Sequence, residues 1–259
     1  MNKIRVAVCQ NPPEMTVCSS EWSTLCERGK LLSPALLLLN ELPFGRWISA
    51  GKRFDRPSWT ESQRQHEAGV RQLANLGAKS VALTVPSNIG RRHVNEACIW
   101  TKRRGMEPVH TKQYFPNEAG FYEARWFQAG PRHFRIASAG SAKCGFLICT
   151  ELMFNQHARQ YGRSGAQLIL VPRATGTSLE RWLVALRMAA IVSGCYVLSS
   201  NRGGTDLAGQ VFGGCGSIIG PKGDLIAQTS AQEPLVSAEI DLREVKSAQK
   251  DYPCYVKER

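Results

Sequence analysis

Short apolar runs bounded by turn-forming or charged residues alternate along this chain with stretches whose apolar positions recur every third or fourth residue. The first pattern predicts strands over residues 4–9, 35–39, 80–85, 167–171, 195–200, 217–219, 225–228 and 235–240, and the second helices over 21–32, 154–163 and 179–192. A further helix over 60–76 opens on Thr60-Glu61-Ser62-Gln63, which has the form of a capping box, and stops at Gly77. Pro86 closes the strand before it. Strands over 95–102 and 107–114 flank the turn-forming Arg103-Arg104-Gly105, and strands over 134–137 and 143–149 flank residues 138–141. Gly220-Pro221-Lys222-Gly223 reads as a hairpin turn. The run at 35–39 is apolar without alternation, as in a strand covered on both faces. Helix 179–192 is apolar most of the way round, which marks it as buried or as a subunit contact.

Interleaved strands and helices of this number indicate an α/β protein with two sheets, and the absence of repeats or linker-like stretches gives one domain over residues 1–259. The chain is long enough for a large core, with 43% hydrophobic and 21% charged residues. Its longest aliphatic run is far too short to cross a bilayer, and residues 1–9 alternate as a first strand does, so a cytoplasmic, non-membrane protein is expected. The nine cysteines include no Cys-x-x-Cys pair, and most read as small buried hydrophobes in a reducing compartment. His66, His93, His110, His133 and His157 show no metal spacing. The net charge of +12, with local sets at Arg91-Arg92 and Lys102-Arg103-Arg104, raises nucleic-acid binding as a class. No aromatic-basic recognition motif accompanies it, so a solvated basic surface is expected instead, able to steer anionic small molecules.

Three ionisable residues stand at the ends of apolar strands: Glu41 in Leu39-Asn40-Glu41-Leu42-Pro43-Phe44, Lys112 in Val109-His110-Thr111-Lys112-Gln113-Tyr114-Phe115-Pro116, and Cys149 in Ile148-Cys149-Thr150-Glu151. A thiol at a sheet edge can act as a nucleophile if a base or a cation lies beside it. A carboxylate in a desolvated place can accept the thiol's proton, and a fixed ammonium can hold an oxyanion. Each residue alone has a bland reading, as a core cysteine, a capping carboxylate and a solvated lysine. The set in this order does not.

These segments resemble those of the nitrilase (carbon–nitrogen hydrolase) superfamily, and the resemblance covers nearly the whole chain. It implies a four-layer α-β-β-α sandwich that dimerises, or assembles further, through its helices. It implies Glu41 as general base, Cys149 as nucleophile, and Lys112 with the Thr150 backbone N–H as oxyanion donors. Phe121-Tyr122-Glu123-Ala124-Arg125-Trp126 resembles the segment whose glutamate orients the lysine, so Glu123 joins the catalytic set, with Glu118 as a rival. Ile169-Leu170-Val171-Pro172-Arg173-Ala174 stands where the family lines its pocket, which places Arg173 and Ala174 against the substrate. Small residues are commoner at Arg173, so its guanidinium either recognises a substrate carboxylate or pairs with Glu151 or Glu180. Asn201-Arg202, Gly216-Ser217 and Pro221-Lys222-Gly223 follow the family's later pattern. Leu152 replaces a basic residue frequent after the nucleophile, which affects local loop contacts.

The implied activity is a thiol amidohydrolase acting on a linear amide or N-carbamoyl small molecule, releasing ammonia and needing no metal or organic cofactor. A nitrile could be attacked by the same groups. A catalytically idle fold serving as a binding module is the other class, and three ionisable groups at strand ends argue against it.

Overall fold

In the computed structural model, which describes residues 2–257, the first sheet is built from β1 (Lys3–Asn11), β2 (Leu36–Leu38), β3 (Ser80–Ile89), β4 (Arg92–Thr101) and β5 (Gly105–Thr111). The chain then crosses to β6 (Ala137–Ala139), β7 (Ala142–Phe146), β8 (Leu168–Pro172), β9 (Tyr196–Thr205), β10 (Val211–Gly213), β11 (Ser217–Ile219) and β12 (Leu225–Gln228), and returns to the first sheet with β13 (Leu235–Asp241). Among the described residues the orders are β5-β4-β3-β2-β1-β13 and β6-β7-β8-β9-β11-β12, with β10 on the far part of β9. The sheets join where the ends of β1 and β9 run parallel, at Gln10↔Asn201 and Asn11↔Arg202.

Alternation along each strand sets the layers. Val6, Val8, Leu36 and Leu38 of the first sheet meet Cys144, Phe146, Leu168, Leu170 and Leu198 of the second in a core between the sheets. Their neighbours Ala7, Cys9, Leu37, Val81 and Leu83 face outward onto Trp22, Leu25 and Cys26 of α1 (Ser20–Leu32) and the segment after α2 (Arg56–Gln72). After the short α3 (Glu123–Trp126), α4 (Asn155–Arg163) and α5 (Leu179–Ser193) cover the second sheet, their Ala158, Tyr161, Leu186 and Ala190 packing on Ile169, Val171 and Val197. α6 (Leu242–Ala248) closes one end, with Leu242 and Val245 in the inter-sheet core. The result is the α-β-β-α sandwich that the resemblance implies.

Several boundaries differ from the expected ones for identifiable reasons. α2 begins at Arg56, because Asp55 accepts the Ser58 N–H at 2.8 Å and Pro57 occupies the first turn, so Thr60-Glu61-Ser62-Gln63 lies inside the helix. Pro86 does not end β3, which continues to Ile89 opposite β4. β2 stops pairing with β3 at Ala82, so Pro86 sits where β3 is an edge and its missing N–H costs little. Residues 134–136 form no strand; Phe134 instead stacks on His157, with centroids 3.6 Å apart. β7 ends at Phe146, short of Cys149.

Gly145 in β7 is a close-approach position, since a Cβ there would lie 2.4 Å from the Tyr161 ring. That ring cannot retreat easily, because the Tyr161 hydroxyl donates to Phe146 O at 2.9 Å and accepts from Phe146 N at 3.2 Å. Gly145→Ala is expected to cost about 1–3 kcal/mol in urea unfolding through overpacking. An unchanged midpoint would show that α4 yields freely.

Candidate active site

Glu41 follows β2 in a loop held from several directions. Its backbone N–H donates to Arg173 O at 3.2 Å, across the gap between the sheets. Leu42 adopts φ 45, a left-handed conformation unusual for a branched residue, and its N–H donates to Thr84 Oγ1 at 2.8 Å. Asn40 accepts from Asn11 at 2.7 Å, and the buried Arg202 guanidinium donates to the carbonyls of Pro13, Leu42 and Gly45. The Glu41 side chain is fully buried.

Lys112 comes just after β5, its N–H on Asn95 O at 2.9 Å. Its buried Nζ lies 2.7 Å from Glu41 Oε1 and 2.6 Å from Glu123 Oε2, and Glu123 opens α3. Asn95 Nδ2 also donates to Glu41 Oε1, at 2.7 Å. Glu41 Oε2 and Glu123 Oε1 are buried and carry no hydrogen bond among the described residues. The rival Glu118 is exposed in a bridge with Phe121, so the structure brings Glu123, and not Glu118, to the lysine.

Cys149 sits past the end of β7 at φ 51, the first residue of a 3₁₀ turn over Cys149–Met153. A non-glycine residue in this region is strained, and here it turns the thiol into the inter-sheet core beside the lysine and its two carboxylates. The Ala174 backbone lies close enough to the sulfur to favour its ionised form. Thr150 is half-buried in the same turn.

The electrostatics follow from burial. Desolvation and then Glu41 push the Cys149 thiol well above its ordinary range, against the pull of Lys112 and the Ala174 backbone. Burial acts to lower the Lys112 pKa, but Glu123 and Glu41 outweigh it, and the ammonium is held charged. Burial, reinforced by Glu41 and opposed by Lys112, raises the Glu123 carboxyl.

Arg173 makes neither expected ion pair. It donates to Ser199 Oγ at 2.7 Å, Thr175 Oγ1 at 3.3 Å and Cys215 O at 2.9 Å, and its guanidinium lies 5.3 Å from the Trp182 ring. No carboxylate reaches it among the described residues, and burial lowers its pKa to about 10. Glu151 instead accepts from His110, Gln113 and Ile148. Asn95 and the Glu151–His110 pair are the site residues that sequence reading missed. The polar Asn95-Glu96 pair just before the apolar run 97–100 of β4 was the available signal for the first. Trp47, Trp126, Phe127, Phe212 and Ala174 form an aromatic-rich cluster with Leu42, and a cavity of about 720 Å³ borders it at Trp47, Ile48, Ala50 and Trp126.

The model of the carbon–nitrogen hydrolase family matches residues 46–250. This chain belongs to the carbon–nitrogen hydrolase family. The match takes in Lys112, Glu123 and Cys149, while Glu41 lies just before it. N-carbamoylputrescine amidase from Solanum lycopersicum is 24% identical over 240 residues, covering 85% of this chain and 79% of its own. Among solved structures, a carbon–nitrogen hydrolase from Helicobacter pylori G27 superposes with TM-score 0.84 at 21% identity, covering 97% of this chain and 94% of that one. A variant of an amidase from Nesterenkonia sp., showing Michael addition of acrylamide at its active-site cysteine, superposes with TM-score 0.72 at 19% identity, covering 94% of this chain and 95% of that one. As a carbon–nitrogen hydrolase with amidases among its relatives, the chain is a hydrolase of non-peptide C–N bonds. Among the described residues no helix is long and apolar enough to cross a membrane, and no group of three or more His, Cys, Asp or Glu could hold a metal ion.

Proposed function

We propose that this protein is a thiol amidohydrolase for linear amides or N-carbamoyl small molecules, working through a Cys149 thioester. The observation that carries the reading is the buried Lys112 ammonium clasped by Glu41 and Glu123 beside a thiol on a strained turn. Glu41 takes the thiol proton as Cys149 attacks the carbonyl carbon, which offsets the cost of ionising a buried sulfur. The C=O π electrons become an oxyanion, held by Lys112 and the Thr150 N–H. Collapse breaks the C–N bond, and ammonia or an amine leaves with the proton from Glu41. Water then gives its proton to Glu41 and attacks the thioester, and the acid departs as the thiol is re-protonated. Glu123 keeps Lys112 in place and charged throughout.

Ala174, in the aromatic-rich cluster, lines the substrate side of the site, and Arg173, whose charge no described carboxylate neutralises, favours substrates carrying an anionic group. The relative acting on N-carbamoylputrescine supports the carbamoyl branch, which needs no change in this chemistry. Exposed Val184, Met188 and Ile191 on α5 support self-association through that helix.

Ammonia release from a panel of amides, ureido acids, ureido amines and nitriles tests the reading. Wild type should release it from amides or ureido compounds, ureido acids ahead of ureido amines, and Cys149→Ala should release none. Equal release by Cys149→Ala would sink the mechanism.

A further inference from the structure

We propose that Glu151 is a positioning residue for this hydrolysis, a single carboxylate that fixes the backbone beside the nucleophile and the backbone beside the lysine together. The inference rests on the thiol amidohydrolase reading. Glu151 Oε2 accepts from Ile148 N, the residue before Cys149, at 2.7 Å. Its Oε1 accepts from Gln113 N, the residue after Lys112, also at 2.7 Å. His110 Nε2 completes the set at 2.9 Å from Oε2 and 3.1 Å from Oε1. Glu151 and His110 are 0% and 1% exposed, so no water shell substitutes for any of these bonds.

The donor count makes the site specific for a carboxylate. Three N–H groups converge on two oxygens, and only an acceptor-only group satisfies them all. An amide in its place would turn an N–H₂ toward a donor, leaving a backbone N–H buried and unpaired. His110 Nδ1 is buried with no partner, which fits a proton on Nε2 and its donation to Glu151. The ring is itself fixed, its centroid 4.9 Å from that of Phe134, which stacks on His157, while His157 Nε2 lies 2.9 Å from the Tyr114 hydroxyl.

The consequence is geometric. Lys112 comes from just after β5 of the first sheet and Cys149 from beyond β7 of the second, and among the described residues β5 and β7 do not pair. Glu151 spans that gap, setting how far the ammonium stands from the carbon that the sulfur attacks. A misplacement of about 1 Å at such a site costs on the order of a hundredfold in rate. Glu151 touches neither substrate nor reacting atoms in this account, and it acts through the two residues that do.

Two variants test it. Glu151→Gln keeps shape and loses one acceptor; Glu151→Asp keeps the charge and loses the reach to both N–H groups. Both are expected to lower kcat by about 10- to 100-fold with KM within about threefold. Both should also change the rate at which iodoacetamide alkylates Cys149, followed by peptide mapping, while leaving that of the exposed Cys18 unaltered. Wild-type kcat in a folded Glu151→Asp would overturn the bridging role, as would a loss that merely tracks the unfolded fraction. The alkylation arm needs no turnover. If wild type hydrolysed nothing in the panel but the variants still altered Cys149 alkylation alone, the hydrolase reading would fall and the positioning of the thiol would stand.

Discussion

Glu41→Gln should lower kcat/KM by about ten-thousand-fold, the upper end of what a positioned general base contributes, yet leave Cys149 open to alkylation. The amide can hold Lys112 or Asn95 through its oxygen but cannot take a proton. The free thiol responds in the opposite sense. After burial, the charge of Glu41 is the largest influence raising the Cys149 pKa, while Lys112 lowers it. Removing that negative charge therefore lowers the thiol pKa, and the alkylation rate of Cys149 at a given pH should rise. Iodoacetamide rates between pH 6 and 10 with mapped peptides would show it. A rate that fell, or turnover that survived, would remove Glu41 from the role of base.

Lys112→Met should cost both activity and stability. Loss of a principal oxyanion donor lowers kcat by about 100- to 1000-fold. The structural cost arises because Glu41 and Glu123, both 0% exposed, then face each other with their shared cation gone. Breaking a buried pair by removing one partner costs about 3–5 kcal/mol. The pH dependence has a definite sign. The Glu123 carboxyl is already raised by burial and Glu41, and Lys112 is what holds it down. Without the lysine its folded pKa rises further above the unfolded value. A group raised in the folded state contributes fully below its unfolded pKa and loses that contribution as pH climbs through the folded one. The deficit of Lys112→Met in urea unfolding should therefore widen above about pH 8, where the wild-type Glu123 ionises, and be larger at about pH 10 than at about pH 7. An equal deficit at both would mean that the carboxylates find other partners.

Much of this site was legible because its chemistry sits where strand patterns end. Glu41 follows an apolar run that only a sheet covered on both faces explains, and the four layers bear this out through Leu36 and Leu38 facing inward and Leu37 outward. The aromatic spacing after Glu123 favours it over Glu118, but the loop after Lys112 lets either reach the lysine; α3 points one inward and leaves the other in solvent. Of the two readings of Arg173, the ion pair with Glu151 or Glu180 does not form, because a sequence displays charges but not the hydroxyl and carbonyl oxygens of Ser199, Thr175 and Cys215 that satisfy them. Glu151 stood in plain view as the acidic residue near the nucleophile, but its three donors come from two distant segments. The end of β7 at Phe146 was hidden for a related reason: Leu147 and Ile148 are as apolar as a strand, Leu147 N still donates to Leu170 O of β8 at 3.0 Å, and the turn that begins at Cys149 ends the pairing after it.

The seam between the sheets has a consequence for what evolution can alter. Glu41 and Lys112 hang from one sheet and Cys149 from the other, and among the described residues strand pairing between the two halves is confined to the ends of β1 and β9. Neither half carries a partial reaction that could be selected alone. The thickness of the inter-sheet core is thus a catalytic dimension, set by side chains such as Leu38 and Phe146 that never meet substrate. A bulkier residue there would act like a shim, and the sandwich could keep every strand and helix while losing its chemistry. Purifying selection on turnover should reach deep into that hydrocarbon layer.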